Sequence, residues 1–243
     1  MFFSIITPTF NSAKYLKKHI DSLNVQSKIF EQIFVDNLSS DSTVKIIKDK
    51  AKYPYKIISE KDFGIYYAMN KGAKTGVGNF LLFLNSDDWL EENTLQYVKT
   101  KIVTNPGYDI YYGNTKFFRE NKFLYSQIGN IKKIKKTNSI SHQSIYYNKN
   151  IFLNYKYDTN YKVAADYDLN LKLIKNNYKF FYLDKNLSCN CVGGFSSNLK
   201  YSFIDFCKIQ KKNNGFLIGA IYTILEYKLT VFKLIFKKVF NLR

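Results

Sequence analysis

The sequence predicts an α/β protein with an open, mostly parallel central sheet flanked by helices. Three observations carry that prediction. Short apolar runs alternate with stretches of helical periodicity four times between Phe3 and Leu84. The runs are continuous where a half-exposed strand would alternate, as expected of strands buried on both faces. Each run also ends in polar or acidic residues: Thr7-Pro8-Thr9, Asp36-Asn37, Glu60-Lys61-Asp62 and Asn85-Ser86-Asp87-Asp88. In an open parallel sheet, ligands gather outside the carboxyl ends of the strands, so four such loops on one edge point to a site there.

Phe3 to Thr7 reads as a buried strand stopped by Pro8, after which Asn11 or Ser12 caps a helix with Leu16, Ile20 and Leu23 on one face. Ile33-Phe34-Val35 is a second strand, and Ser40 or Asp41 opens a helix carrying Val44 and Ile47 inward. Tyr55 to Ser59 is a third strand. The helix after it places Ile65, Ala68, Met69, Gly72 and Ala73 at core spacing and closes at Gly76 and Gly78. Phe80 to Leu84 is the fourth strand. Tyr108 to Gln127 alternates as antiparallel strands with Gly113-Asn114 as the turn, and Ile145-Tyr146-Tyr147 is a further strand. A helix with Leu169, Leu173 and Ile174 on one face follows Asp166, which holds an N-cap position. Phe180 to Leu183 is the last strand, and Gly193-Gly194-Phe195-Ser196-Ser197 reads as a mobile loop.

Composition narrows the function classes. The net charge of +18, from 37 basic and 19 acidic residues, calls for a negatively charged partner. Nucleic acid is one such partner, but the basic residues are spread along the chain and the aromatics fall at core spacings, which argues against it. There is no G-x-G-x-x-G after the first strand and no G-x-x-x-x-G-K-[ST], which removes the main support for dinucleotide and P-loop sites. Cys189, Cys191 and Cys207 fit neither a disulfide framework nor a zinc pattern, as in a reducing cytoplasm. The segment from Met1 to Pro8 lacks a positive n-region and is read as a strand, not a secretory signal.

Asp87 and Asp88 are the first candidates for chemistry. Two carboxylates at the end of a central strand are hard oxygen ligands on a rigid platform, suited to Mg²⁺ or Mn²⁺ holding a diphosphate. The same pair also suits a helix N-cap for Trp89 to Lys99. Lys132, Lys133, Lys135 and Lys136 form a solvated loop or a phosphate-attracting rim. His142 is either a structural hydrogen-bonder or a site residue, and Asp166 is either a cap or a general base. Residues 215–243 read as a basic amphipathic helix, either lying in an anionic membrane surface or packed on its own domain or a second subunit.

Taken in order, Thr7-Pro8-Thr9-Phe10-Asn11, Val35-Asp36-Asn37-Leu38-Ser39, Glu60-Lys61-Asp62-Phe63-Gly64 with Asn70, Asn85-Ser86-Asp87-Asp88, His142-Gln143 and Ala164-Ala165-Asp166-Tyr167-Asp168 resemble the family-2 inverting glycosyltransferases. The likeness runs over about residues 3 to 200 and is greatest to the branch related to colanic acid glycosyltransferases. It implies a GT-A fold, with a Rossmann-like sheet in a domain over residues 1–205 and a C-terminal amphipathic extension over 206–243. It implies a metal-dependent transfer of a sugar from a nucleotide-sugar donor, such as a UDP-hexose or UDP-N-acetylhexosamine, to a hydroxyl of a glycan or lipid-linked glycan. The setting implied is bacterial surface polysaccharide or lipopolysaccharide synthesis at the inner face of the cytoplasmic membrane, by a peripheral protein that could dimerise. By the resemblance Thr7, Pro8 and Asp36 line the nucleoside pocket, Asp62 and Asn70 hold nucleotide and sugar, and His142 faces the phosphates or acceptor. Asp88, helped by Asp87, holds Mn²⁺ or Mg²⁺, and Asp166 is the base.

The chain departs from the family pattern in two places. Asn37-Leu38 stands where the family often has an acid and a glycine, and Asn85 replaces the first acid of the metal motif. A catalytically inert relative that only binds sugar nucleotides is the remaining alternative.

Overall fold

The computed structural model describes residues 1–193, 199–215 and 219–224. Among these, nine strands form one mixed sheet. Strands β1 (Phe3–Thr9), β2 (Phe30–Asp36), β3 (Tyr55–Ser59) and β4 (Phe80–Phe83) lie parallel in the order β3-β2-β1-β4. Helices α1 (Ala13–Asn24), α2 (Thr43–Lys50) and α3 (Ile65–Thr75) make the crossovers between them. The register sets Thr9 beside Asp36 and Asp36 beside Ser59, so the polar strand ends share one edge.

The sheet continues beyond β4 as β8 (Ile145–Asn148), β6 (Ile110–Arg119) and β9 (Phe180–Cys191), with β5 (Trp89–Leu90) on β9 and β7 (Lys122–Gln127) on β6. This half mixes directions: β4 with β8 and β6 with β8 are antiparallel, while β6 with β9 is parallel. Helices α4 (Thr94–Thr104), α5 (Lys149–Tyr155), α6 (Ala165–Lys175) and α7 (Leu199–Asn214) pack around it, and short 3-10 turns at Ile131–Lys133 and His142–Ser144 lie between β7 and β8. Along the central strands the side chains divide between two cores. Ile6 and Phe83 join Met69 and Tyr147, while Ile5 and Leu82 join Leu95 and Val98.

Several local expectations change. The helix expected from Trp89 begins only at Thr94, because Trp89 and Leu90 pair with Cys189 and Ser188 as a short strand. Gly113 is not in a turn: β6 runs through it, and a Cβ there would lie 2.6 Å from the Leu187 side chain, so close packing explains the glycine. The hairpin turns instead at Glu120 and Asn121, both with positive φ as a tight hairpin turn requires. Asp166 lies within the first turn of α6 and Ala164 is its N-cap. In α2, Thr43 is buried ahead of Val44. The expected division between 1–205 and 206–243 falls inside α7, where Ile209 and Gln210 are fully buried and Gln210 reaches the Tyr167 hydroxyl at 2.8 Å. The loop expected over 193–197 and the amphipathic segment over 215–243 lie mostly outside the described residues.

Candidate active site

The strand ends of the parallel half open onto a cavity of about 590 Å³, a size suited to a drug-sized ligand. Pro8, Asn37, Asp62, Asn85, Asp87 and His142 contribute polar groups and backbone to its wall. Exposed rings of Phe10, Tyr15, Phe63 and Tyr67 form its apolar rim.

The chain turns sharply after β4, with the Asp88 N–H donating to the Asn85 carbonyl at 3.0 Å, and the two acids part company. Asp87 lines the cavity. Asp88 is 1% exposed and points into the protein, where one carboxylate oxygen accepts from Gln143 Nε2 at 2.8 Å and the other from the Cys191 N–H at 2.9 Å. Its carbonyl accepts from His19 Nδ1 at 2.9 Å. Burial holds the His19 pKa down at about 4, so the ring is neutral at pH 7; with Nδ1 donating, Nε2 accepts from the Thr7 hydroxyl at 3.1 Å. Thr7 thus braces the turn and does not line the cavity.

Burial raises the Asp87 carboxyl above the usual aspartate range. It raises Asp88 well above that range, with the neighbouring Asp87 charge adding to the effect. Asn85 Oδ1 is buried and has no hydrogen-bond partner, an arrangement a folded chain rarely leaves unexplained. It borders the same cavity as Asp87. No group of three or more His, Cys, Asp or Glu residues converges as a metal cage among the described residues. A divalent ion that keeps one or two protein oxygens and takes the rest from phosphates and water needs no such cage. The Asp87 carboxylate and Asn85 Oδ1 therefore fit Mn²⁺ or Mg²⁺ bound together with a diphosphate.

The second acid centre lies across the cavity. Asp166 is 4% exposed, accepts from the Tyr66 hydroxyl at 3.3 Å and stands 3.5 Å from His142 Nδ1. Tyr66 and His142 both line the cavity, so Asp166 sits directly behind them. His142 Nε2 is likewise buried without a hydrogen-bond partner. Burial and the Asp166 charge raise the Tyr66 hydroxyl well above the usual tyrosine range, so it stays protonated as a donor.

The sequence matches the model of glycosyl transferase family 2 over residues 4–205. The chain belongs to glycosyl transferase family 2. It is 34% identical over 180 residues to a PGL/p-HBAD biosynthesis glycosyltransferase of Mycobacterium tuberculosis, a match covering 72% of this chain and 70% of the relative. Its fold is similar to the crystal structure of S. aureus TarS in complex with UDP-GlcNAc, with a TM-score of 0.71 and 23% identity over 91% of this chain and 69% of that one. It is also similar to the mannosyltransferase PcManGT of Pyrobaculum calidifontis in complex with GDP-Man and Mn²⁺, with a TM-score of 0.68 and 13% identity over 86% and 63% of the two chains. The mixed α/β architecture is that of GT-A enzymes of this kind, and the protein is a transferase.

In this family-2 glycosyltransferase the residues expected from sequence fall into two sets. Pro8, Asp62, Asp87 and His142 line the cavity. Thr7, Asp36, Asn70, Asp88 and Asp166 stand behind it. Asp36 is fully buried, accepting from the hydroxyls of Thr9, Ser39 and Ser59 and from the Ser39 N–H. Asn70 forms a two-way bridge to the Tyr157 backbone, at 2.8 and 3.0 Å. Asn37, next to Asp36, is the residue that borders the cavity, and its Oδ1 accepts from the Asp62 N–H at 2.8 Å. Asn37, Asn85 and Tyr66 carry contacts that sequence reasoning did not assign to them. The signal was present for Asn37: adjacent residues at a strand end point in opposite directions, so a polar pair there holds one inward and one outward member.

Proposed function

We propose that the protein transfers a sugar from a nucleoside-diphosphate sugar, preferably UDP-linked, to a hydroxyl of a glycan or lipid-linked glycan, inverting the anomeric carbon. The observation that supports this best is the pair of orphaned polar atoms, Asn85 Oδ1 and His142 Nε2, on one cavity that also meets Asp87 and adjoins Asp166. The nucleoside enters beside Pro8, Asn37 and Asp62, where Asn37 and Asp62 read the base and ribose. The diphosphate lies toward Asp87 and Asn85. A divalent cation there would be held by Asp87 and Asn85, with Asp88 fixing the turn that presents them, and would neutralise the charge that builds on the departing diphosphate. The complexes of TarS with UDP and UDP-GlcNAc and of PcManGT with GDP-Man agree with a nucleoside-diphosphate donor.

The acceptor hydroxyl attacks the anomeric carbon from the face opposite the diphosphate. As the new C–O bond forms and the bond to the diphosphate breaks, the hydroxyl proton passes to Asp166 by way of the Tyr66 hydroxyl, which takes it up as its own proton moves to the carboxylate it donates to. Tyr66 and His142 hold the Asp166 carboxylate in place, and general-base help of this kind contributes about 10²- to 10⁴-fold in rate. The position of His142 supports a second reading, in which Nε2 takes the proton and Asp166 steadies the ring through Nδ1. Replacing Asp166 by Asn is expected to keep donor binding and to lower transfer by about 10²-fold or more. Unchanged transfer would remove Asp166 from the mechanism. An equal loss in His142→Gln selects the second reading, and a markedly smaller loss selects the first.

A peripheral location at the inner membrane surface, and a role in surface polysaccharide or lipopolysaccharide assembly, belong to the same proposal. Among the described residues, no helix is long and apolar enough to cross a membrane.

A further inference from the structure

Two lysine-rich stretches far apart in sequence meet on one surface. Lys132, Lys133, Lys135 and Lys136 are exposed on the loop after β7. That loop lies against α7, with Gln210 Nε2 donating to the Lys135 and Lys136 carbonyls at 3.4 and 3.5 Å and Asn214 Nδ2 to the Lys135 carbonyl at 3.4 Å. On α7 itself, Lys200, Phe203, Ile204, Lys208 and Lys211 recur at steps of three and four, so they share one side of the helix, and all are exposed. Phe203 and Ile204 expose 41% and 37% of their surface between those lysines. The opposite side is anchored, with Asp205, Ile209 and Gln210 buried and Phe206 stacked on Tyr167 at 5.6 Å.

The charge on this surface is one-sided. Residues 129–137 contain no acid, and residues 199–214 contain only Asp205, which is 1% exposed and occupied by the Lys162 and Val163 N–H groups. The adjacent Asp168 is buried and paired with Lys172 and Lys212. Exposed apolar side chains flanked by lysines, on a helix whose other face is packed, match the chemistry of an interfacial bilayer contact: lysines meet lipid phosphates while the apolar residues enter the headgroup boundary. A soluble polyanion would use the lysines and leave Phe203 and Ile204 without a role.

We propose that the surface formed by the 131–136 loop and the outer side of α7 docks on an anionic membrane. This rests on the proposed membrane-peripheral role and gives it a location within the folded domain, separate from the segment after residue 224. On its inner side the same helix is joined by Asp205 to the cavity wall at Lys162 and Val163, so the docking surface and the cavity belong to one packed unit.

The test is co-sedimentation of the full chain with vesicles of phosphatidylcholine alone or mixed with phosphatidylglycerol, with retention on heparin measured in parallel. The wild type is expected to bind only the mixed vesicles. Joint replacement of Lys132, Lys133, Lys135 and Lys136 by Ser should lower partitioning by about a hundredfold or more, at roughly fivefold per lysine near the surface. Joint Phe203→Ser and Ile204→Ser should weaken vesicle binding and leave heparin retention unchanged. Unchanged vesicle binding in either variant overturns the proposal, as does a wild type that binds heparin and not the mixed vesicles. None of these residues lines the cavity, so donor turnover with a water-soluble acceptor should stay at the wild-type level in both variants. That readout confirms folding, and it separates failure of the docking proposal from failure of the transferase reading.

Discussion

At the scale of single residues, the site depends on adjacent side chains with opposite tasks. Asp87 borders the cavity while Asp88 ties the turn to Gln143 and to the end of β9. Asp87→Ala is therefore expected to abolish metal-dependent donor turnover with little change in thermal stability. Asp88→Ala should lose turnover and also about 1–3 kcal/mol of stability, because the Cys191 N–H and the Gln143 amide lose a buried acceptor. Denaturant unfolding of both variants checks this, and equal stability would contradict the division of roles. The raised carboxyls set the pH behaviour. A folded-state pKa above the unfolded value stabilises the fold below the unfolded value, and that contribution is lost as pH rises through the folded one. The metal-free protein should thus lose stability as pH climbs from about 4 through the raised range of Asp87 and Asp88. Mn²⁺ needs the ionised form, so the rise in melting temperature it causes should grow over the same window. A rise independent of pH would contradict the assignment of Asp87 to the cation.

At the scale of elements, the parallel half of the fold was legible because continuous apolar runs and helical spacing are local signals, and β1 to β4 appear where those signals put them. The other half depends on pairings distant in sequence. Trp89 and Leu90 form a strand only because β9 is beside them, and β9 extends well past Leu183 by pairing with β6. The strand-end residues were legible as a set, but which member of each pair faces the cavity depends on strand direction and turn geometry that composition does not encode. Asp36 and Asn37 show this most directly, as do Asp87 and Asp88. The tie between α7 and the cavity wall lay outside sequence reasoning too, because Asp205 acts through backbone groups more than forty positions earlier. Its carboxylate accepts from Lys162 and Val163 at 2.7 and 2.8 Å, and both residues line the cavity. Asp205→Ala should raise the acceptor KM several-fold with the donor KM unchanged, and Asp205→Asn, which keeps one acceptor oxygen, should partly rescue it. Steady-state kinetics with each substrate varied in turn decides the point; a change confined to the donor KM would place the effect on the other wall.

At the scale of the whole molecule, the parallel half supplies the polar floor of the cavity. The mixed half, with α6 and α7, supplies His142, Asp166 and the wall at Lys162 and Val163. The two halves meet where β4 pairs with β8, next to both acid centres. This division assigns donor binding to one half and proton removal to the other, and makes both depend on a single cavity. The most direct test is thermal denaturation of the full chain against a panel of nucleoside-diphosphate sugars, with and without Mn²⁺, with Asp87→Ala measured alongside. A ligand held only by the folded state raises its stability by mass action, so one member of the panel should raise the melting temperature of the wild type in a Mn²⁺-dependent way, and the rise should vanish in Asp87→Ala. No stabilisation by any nucleotide sugar, or a full Mn²⁺-dependent rise persisting in Asp87→Ala, would contradict the account.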